Sequence, residues 1–239
     1  AAQAPPSQPQ QKAQGLPRLM TDRLACICAH IPQAKIFADV GCDHGYCTKY
    51  VLDNGLCERA YACDVSAACL EKARTLLKDE ISAGRCVPVC ADGLEGLAEQ
   101  PDCVLCAGMG GEEIVRIFSK RPLPARFVFQ PMKNSEKVRR FLLARGARLT
   151  LDTTFSDAGK FYDLIAGEGT GGDAYSEFEY RYGRDNLKAP GRAFLGKVSS
   201  EAETLRGALR GVAAGRQREE LLARLYELED IADAIEEYL

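Results

Sequence analysis

The segment from Phe37 to Gly45 constrains the fold more than any other part of the sequence. A short apolar run reaches an acid, Asp39, and Gly41 and Gly45 follow before a helical pattern begins. Glycine allows a tight turn and a close backbone approach, and such strand-to-helix turns lie at the carboxyl edge of a parallel sheet. The spacing Asp-x-Gly-x-x-x-Gly differs from the dinucleotide fingerprint. It therefore predicts a ligand loop of another class, with a plain turn as the alternative.

Strand and helix patterns alternate around this segment. Apolar residues recur at helical spacing over residues 16–31, which predicts a first helix. The predicted strands are 35–40, 60–64, 86–90, 104–107, 126–130, 148–155 and 161–166. The predicted helices between them are 45–54, 67–81, 112–119 and 135–145. This alternation predicts an α/β fold with a mostly parallel sheet that is covered on both faces.

A different pattern follows the glycine-rich run at 167–172, which we interpret as a linker. Two helical stripes, over 194–212 and 221–235, are separated by a break near Gly215 and predict an antiparallel helical hairpin. The Pro- and Gln-rich residues 1–15 predict a disordered tail. We therefore expect a tail at 1–15, a ligand-binding α/β domain at 16–167 and a helical domain at 168–239.

The net charge and the positions of the cysteines bear on the class of protein and on its location. The net charge of −3, from 31 basic and 34 acidic residues, gives no general sign of nucleic-acid binding but allows a local basic patch. Many of the eleven cysteines lie in apolar runs, and Cys103 and Cys106 point to opposite faces of a predicted strand. We therefore expect free thiols, no metal site, no export signal, no membrane segment and a cytoplasmic location.

Two further acids follow the second and third predicted strands. Asp64 ends the second strand, near the offset of about 20 residues at which an acid receives ribose hydroxyls. Asp92 follows the third strand in an Ala-Asp-Gly sequence. Three acids at the ends of three consecutive strands indicate one ligand site. The alternatives are a helix cap by Asp64 or Ser66 and an Asp-Gly turn at Asp92.

A glycine-rich loop follows the fourth predicted strand, with the sequence Cys-Ala-Gly-Met-Gly-Gly at 106–111. Its small residues leave room for a ligand and give access to backbone groups. Taken alone, the loop could bind phosphate at a helix N-terminus. A P-loop is excluded, because no Lys-Ser/Thr pair follows.

Four motifs together resemble the bacterial tRNA (adenine-22-N1)-methyltransferases, over about residues 16–239. They are 37–46, 107–111, Gln130-Pro131 and Gly159-Lys160-Phe161-Tyr162. The resemblance implies a seven-stranded, Rossmann-like class I methyltransferase domain with a coiled-coil-like C-terminal hairpin. It also implies methyl transfer from S-adenosylmethionine to N1 of an adenine, position 22, in tRNA. This chain has Gly45-Tyr46-Cys47-Thr48 where the family usually has Ala-Tyr-Leu-Pro, a departure that bears on substrate choice more than on cofactor binding.

The resemblance assigns site residues as well. The residues expected to bind S-adenosylmethionine are Asp39, Gly41, Cys42, Gly45, Asp64, Val65, Asp92, Gly93, Ala107 and Gly108. Asp64 would receive the ribose, and Asp92 would meet the adenine amino group. The residues expected at the target base are Asp43, His44, Tyr46 and Met109.

Each residue at the target base has a catalytic and a structural interpretation. Tyr46 would stack on the base, or it packs on the first helix. Asp43 would accept a hydrogen bond from the base and stabilise the cationic product, or it caps the helix that follows. His44 would carry a proton or orient a group, or it has a structural role. Met109 would pack on the base, or it fills space.

A tRNA partner would need cations. Candidates are Lys133, Lys137, Arg139, Arg140, Arg145, Arg148, Arg192, Lys197, Arg206 and Arg210, which either bind phosphates or form solvated helix faces. Two alternative functions stay open. One is an S-adenosylmethionine-dependent methyltransferase with another acceptor, such as another RNA, a protein or a small molecule. The other is a non-catalytic S-adenosylmethionine- or RNA-binding protein. We expect a monomer, because no long heptad run requires a dimer.

Overall fold

The computed structural model describes residues 20–239, so the predicted tail at 1–15 lies outside the described residues. Seven strands form one mixed sheet in the order β3-β2-β1-β4-β5-β7-β6. The strands are β1 (Ala34–Val40), β2 (Cys57–Asp64), β3 (Cys86–Cys90), β4 (Cys103–Met109), β5 (Arg126–Pro131), β6 (Ala147–Asp157) and β7 (Lys160–Gly171). β1 to β5 are parallel, whereas β7 is antiparallel to both β5 and β6. The predicted α/β class is confirmed.

Helices cover both faces of this sheet. In the described part of the chain they are α1 (Asp22–Cys28), α2 (Tyr46–Asp53), α3 (Ala67–Leu76), α4 (Lys78–Ser82), α5 (Gly111–Ser119), α6 (Ser135–Ala144), α7 (Glu177–Tyr182), α8 (Arg184–Lys188), α9 (Arg192–Leu209) and α10 (Arg216–Tyr238). α1, α2 and α3 pack on one face, and α5 and α6 pack on the other. Neighbouring strand residues alternate between these two cores, as Phe37 and Ala38 do, because successive side chains point to opposite faces.

The strand order reverses between β1 and β4. From β1 the chain builds outward through β2 and β3, then returns to place β4 on the other side of β1. Asp39 is therefore paired with Ala62 of β2 on one side and with Leu105 of β4 on the other. The connections leave in opposite directions at this point, so a crevice opens at the carboxyl ends of the two strands. The fold thus predicts the ligand site beside β1 and β4.

Two details differ from the sequence-based prediction. The helix predicted at 67–81 is divided into α3 and α4, because Leu77 leaves the helical conformation and buries its side chain completely. The linker predicted at 167–172 is mostly strand, since β7 continues to Gly171 across the predicted domain boundary. A Cβ at Gly167 would lie 2.3 Å from the Arg148 carbonyl oxygen, and one at Gly169 would lie 2.3 Å from that of Pro124. These glycines therefore serve close backbone approach and not flexibility.

The C-terminal residues form the predicted helical hairpin. α9 and α10 pack against each other through Phe194, Val198, Leu225 and Leu228, which are all buried. The short helices α7 and α8, which periodicity did not reveal, connect the hairpin to the sheet. α7 begins with a capping box between Ser176 and Glu179. Within residues 20–239, every helix is too short or too polar to cross a membrane.

Buried ion pairs join the sheet to the helical part. Arg139 on α6 is fully buried; its Nε lies 2.8 Å from Asp152 Oδ1 of β6, and its Nη1 donates to backbone carbonyls of α7. Lys197 of α9 donates to both oxygens of buried Asp163 on β7, at 2.6 Å each. The neighbouring cations hold the pKa of Asp163 well below its usual range. A buried charge that loses its partner is costly, so these pairs fix α7 and α9 against β6 and β7.

Replacing Arg139 with methionine is expected to lower the free energy of unfolding by about 3–5 kcal/mol, because Asp152 is left buried without its cation. Urea denaturation measures this. The control Arg206→Met removes an exposed pair with Glu229 and should cost less than about 1 kcal/mol. A loss as small as the control's for Arg139→Met would mean that the buried pair does not hold the two parts together.

Candidate active site

The turn after β1 depends on its glycines. Gly41 and Gly45 have φ angles of +76° and +78°, which favour glycine. The N–H groups of Gly41 and Cys42 both donate to the Cys63 carbonyl of β2, at 2.8 and 3.0 Å. A Cβ at Gly41 would lie 2.3 Å from Met109 Cε. The turn therefore lies directly against Met109 at the end of β4.

Asp39 lies beneath this turn with almost no exposed surface. Its Oδ2 accepts a 2.8 Å hydrogen bond from the Thr48 hydroxyl of α2. Burial raises the pKa of Asp39 to about 6, and the hydrogen bond from Thr48 opposes that rise. Thr48 is one of the positions where this sequence departs from the family pattern, and here it is the partner of the central acid.

Asp64, at the end of β2, braces the same turn. Its Oδ2 accepts from the Asp43 N–H at 3.0 Å, and its Oδ1 accepts from the Ser66 N–H at 2.8 Å. The cap of α3 is Ser66, whose hydroxyl accepts from the Cys69 N–H. Each carboxylate oxygen has a second lone pair. Asp64 can therefore still accept ribose hydroxyls, and that role stays a prediction.

The residues predicted at the adenine end lie further along the edge. Asp92, after β3, forms a two-pronged ion pair with Arg116 of α5, at 2.5 and 2.7 Å, which lowers the pKa of Asp92. Gly93 has a φ of +75°, and a Cβ there would lie 2.5 Å from Ile117. Val65 is 68% exposed, which is unusual for a large apolar residue and leaves it free to cover a ligand.

The four residues predicted at the target base gather at the mouth of the turn. The ring of His44 stacks on that of Tyr46, with centroids 5.6 Å apart. His44 Nε2 lies 3.5 Å from Asp43 Oδ1 and 3.2 Å from Lys72 Nζ. The N-cap of α2 is Gly45, so Asp43 is not capping that helix, and its side chain is 67% exposed. The Asp43 carboxylate is thus exposed and available to a ligand, and the backbone of Asp43 has a φ of +48°.

One cavity of about 320 Å³ unites most of these residues. The predicted residues that line it are Asp39, Gly41, Cys42, Asp43, His44, Tyr46, Ala107, Gly108 and Met109. Asp64, Val65, Asp92 and Gly93 lie outside its lining, along the β2 and β3 ends of the same edge. Gly45 packs against α3 and the residue after it, where a Cβ would lie 3.2 Å from Ala73 and 2.9 Å from Leu77. Sequence reasoning missed Arg23, Leu24 and Cys47 in the lining, because no motif marked them.

The basic residues that were considered for RNA binding are mostly paired with acids. Arg139 is fully buried and cannot meet a phosphate, which corrects its place in that set. Ion pairs also engage Lys137, Arg140, Arg148, Lys197 and Arg206. In residues 20–239, Lys133, Arg145, Arg192 and Arg210 form no ion pair, and the Arg145 guanidinium donates to backbone carbonyls instead. Over the same residues, no three His, Cys, Asp or Glu side chains come together as metal ligands.

Comparison with known proteins defines the class. Residues 20–165 match a family model described as a methyltransferase domain, and the chain belongs to that family. The match covers the sheet as far as β7 and includes the glycine loop, the three acids and the loop after β4. The predicted resemblance to methyltransferases is confirmed.

The individual relatives and solved structures carry more specific names than the family model does. The tRNA (adenine(22)-N(1))-methyltransferase of Bacillus subtilis is 24% identical over 92% of this chain and 97% of its own length. A candidate tRNA methyltransferase of Mycoplasma pneumoniae is 32% identical, over 55% of this chain and 62% of that protein. The chain thus spans less than two thirds of that relative. The crystal structure of a candidate tRNA (m1A22) methyltransferase of Streptococcus pneumoniae has a TM-score of 0.82, 25% identity, and coverage of 90% of this chain and 100% of that one.

The raised pKa of Asp39 gives a prediction for stability. Its folded-state pKa of about 6 exceeds the ordinary value of 3.8, so its stabilising contribution is full at low pH and is lost as the pH rises through 6. The free energy of unfolding of the native protein minus that of Asp39→Asn should fall by about 2 kcal/mol between about pH 4.5 and about pH 7.5. Denaturation curves at several pH values measure the difference. A difference that is flat or rises with pH would show that Asp39 is not desolvated.

Proposed function

We propose that this protein transfers a methyl group from S-adenosylmethionine to N1 of the adenine at position 22 of tRNA. The observation that carries the proposal is a match over 92% of the chain to the Bacillus subtilis enzyme and over 90% to the Streptococcus pneumoniae structure. The Bacillus subtilis enzyme and the Streptococcus pneumoniae structure correspond to the sheet and to the C-terminal helices together. A related Streptococcus pneumoniae structure is a complex with S-adenosyl-L-methionine; it is 24% identical and has a TM-score of 0.81.

The residues along the sheet edge fit this cofactor. Three acids at successive strand ends can accept from hydroxyl and amino groups, and Gly41 and Gly108 present backbone where a side chain would obstruct a ligand. We assign the ribose to Asp64 and the adenine amino group to Asp92 with Val65 and Gly93 beside it. The remaining assigned contacts are Asp39, Cys42, Gly45, Ala107 and Gly108. The bound cofactor supplies an electrophilic methyl group.

The target base is assigned to the mouth of the cavity. Adenine N1 has its own lone pair, so the protein must mainly align the base with the methyl group. N1 lies on the Watson–Crick edge, so a paired or stacked adenine must first be extruded. Tyr46, already stacked on His44, offers a surface for the extruded base. Asp43 would place an exposed carboxylate near the ring that becomes cationic, and Met109 lines the same cavity.

We propose that the protein acts as a monomer in the cytoplasm. The apolar stripes of α9 and α10 are buried against each other, so the hairpin needs no second copy to cover them. A tRNA substrate is consistent with a cytoplasmic location. We also propose that residues 168–239 form the RNA-holding part, where Arg192 and Arg210 have no carboxylate partner within the described residues.

Replacing Asp64 with alanine is expected to weaken S-adenosylhomocysteine binding by about 10- to 100-fold, because hydrogen bonds to a charged group are lost. Isothermal titration calorimetry measures the dissociation constant. Asp79→Ala, on an exposed surface of α4, is the matched control and should leave affinity unchanged. Unchanged affinity for Asp64→Ala would remove Asp64 from the cofactor site.

The reaction is tested with labelled S-adenosylmethionine and two unmodified tRNA transcripts, one with adenine and one with guanine at position 22. Label is expected in the first and not in the second, because guanine N1 carries a proton and lacks the attacking lone pair. Label in both would place the target elsewhere. Absence of label in both, with cofactor binding intact, would show that tRNA is not the acceptor.

A further inference from the structure

Arg116 of α5 holds the carboxylate of Asp92 in one orientation. Arg116 Nη1 donates to Asp92 Oδ2 at 2.5 Å, and Arg116 Nη2 donates to Asp92 Oδ1 at 2.7 Å. The planar fork of a guanidinium matches the two oxygens of a carboxylate, so this pair fixes the plane of the carboxylate. Sequence reasoning gave Arg116 no role, because it lies 24 residues from Asp92 and belongs to no motif.

The backbone on both sides of this pair is fixed as well. A Cβ at Gly93 would lie 2.5 Å from Cγ2 of Ile117, the residue that follows Arg116. α5 therefore packs directly against the turn after β3, and Ile117 is buried there. The side chains of Arg116 and Asp92 are 51% and 41% exposed, but both are carried by anchored backbone. Among exposed ion pairs, those with two-pronged geometry hold their arrangement best.

The clamped carboxylate can accept hydrogen bonds from a ligand but cannot donate one. Each of its oxygens has two lone pairs, and Arg116 uses one on each. The hydrogen bonds from Arg116, together with the charge of Lys120, lower the pKa of Asp92, so the carboxylate has no proton at neutral pH. Asp92, with Glu113 and Glu95 nearby, raises the pKa of Arg116. The group that faces a ligand beyond β3 is therefore an acceptor only.

An acceptor-only group distinguishes adenine from hypoxanthine. Adenine has an amino group at C6, which donates hydrogen bonds. Hypoxanthine has an oxygen at C6, which accepts them, and has a proton on N1. A mobile carboxylate could turn from the amino group of adenine to the N1 proton of hypoxanthine, but a clamped one cannot.

The clamp therefore has a consequence for the choice of cofactor. Resting on the function proposed above, we propose that Arg116 is a positioning residue for purine selectivity. It fixes Asp92 so that the cofactor site takes the 6-amino purine of S-adenosylmethionine and rejects the 6-oxo counterpart.

S-adenosylhomocysteine and S-inosylhomocysteine differ only in the purine and measure this selectivity. In calorimetry with the full chain, the native protein should bind S-adenosylhomocysteine about 10- to 100-fold more tightly, because the 6-oxo group places one acceptor against another that is charged. Arg116→Gln should reduce this ratio to less than about threefold, through weaker binding of S-adenosylhomocysteine alone. Retained binding of S-inosylhomocysteine also shows that the variant is folded.

Two further variants separate orientation from charge. Arg116→Lys keeps a cation beside Asp92 but lacks the fork, so it should also lose most of the selectivity. Arg59→Gln is the matched control. Arg59 forms a similarly exposed pair with Glu99 near the amino end of β2, and its loss should leave both affinities unchanged.

Four results would contradict this account. Equal losses for both ligands in Arg116→Gln would leave the ratio unchanged and make Arg116 a structural residue. Full selectivity in Arg116→Lys would show that charge alone is sufficient. Equal binding of the two ligands by the native protein would mean that Asp92 does not read the purine. Failure of the native protein to bind S-adenosylhomocysteine at all would instead overturn the proposed function, which distinguishes it from the other three.

Discussion

The reversal of strand order between β1 and β4 is the constraint on which the site depends. It opens the sheet beside Asp39, so the turn after β1 and the end of β4 meet in the crevice that results. Close approach there requires glycine at Gly41, where a side chain would collide with Met109. The same topology places Asp64 and Asp92 further along the edge in the order of the strands. A ligand that reaches all three acids must therefore extend along this edge of the sheet.

A second set of contacts, the buried ion pairs, holds the C-terminal helices against the sheet. Arg139 reaches from α6 to Asp152 and to carbonyls of α7, and Lys197 of α9 reaches Asp163 of β7. Desolvated charges tolerate little displacement, since each lost partner leaves an uncompensated charge. The orientation of the hairpin relative to the cavity is thus set by buried chemistry and not by a flexible connection. A large structured substrate such as tRNA would then meet both parts in one fixed relation.

Much of the fold and of the candidate site was predictable from local sequence patterns. The strand and helix alternation, the glycine turn and the acids at strand ends follow from periodicity and residue type. The resemblance to the tRNA (adenine-22-N1)-methyltransferases extends over 92% of the chain in the Bacillus subtilis relative. Long-range partners were not predictable. Thr48 beneath Asp39, Arg116 on Asp92 and the burial of Arg139 depend on distant segments that meet only in the fold. The glycines at 167 and 169 resembled a linker because close backbone packing and flexibility favour the same residue.

The central claim is that the cavity aligns adenine N1 with a methyl donor. Mass spectrometry of nucleosides, from a tRNA transcript incubated with the protein and S-adenosylmethionine, tests it most directly. We expect 1-methyladenosine as the new nucleoside, because the N1 lone pair of adenine is the nucleophile that the proposed alignment directs at the donor. Methylation at the exocyclic nitrogen of adenine, or on another base, would contradict the proposed assignment of Asp43, Tyr46 and Met109 to the target base.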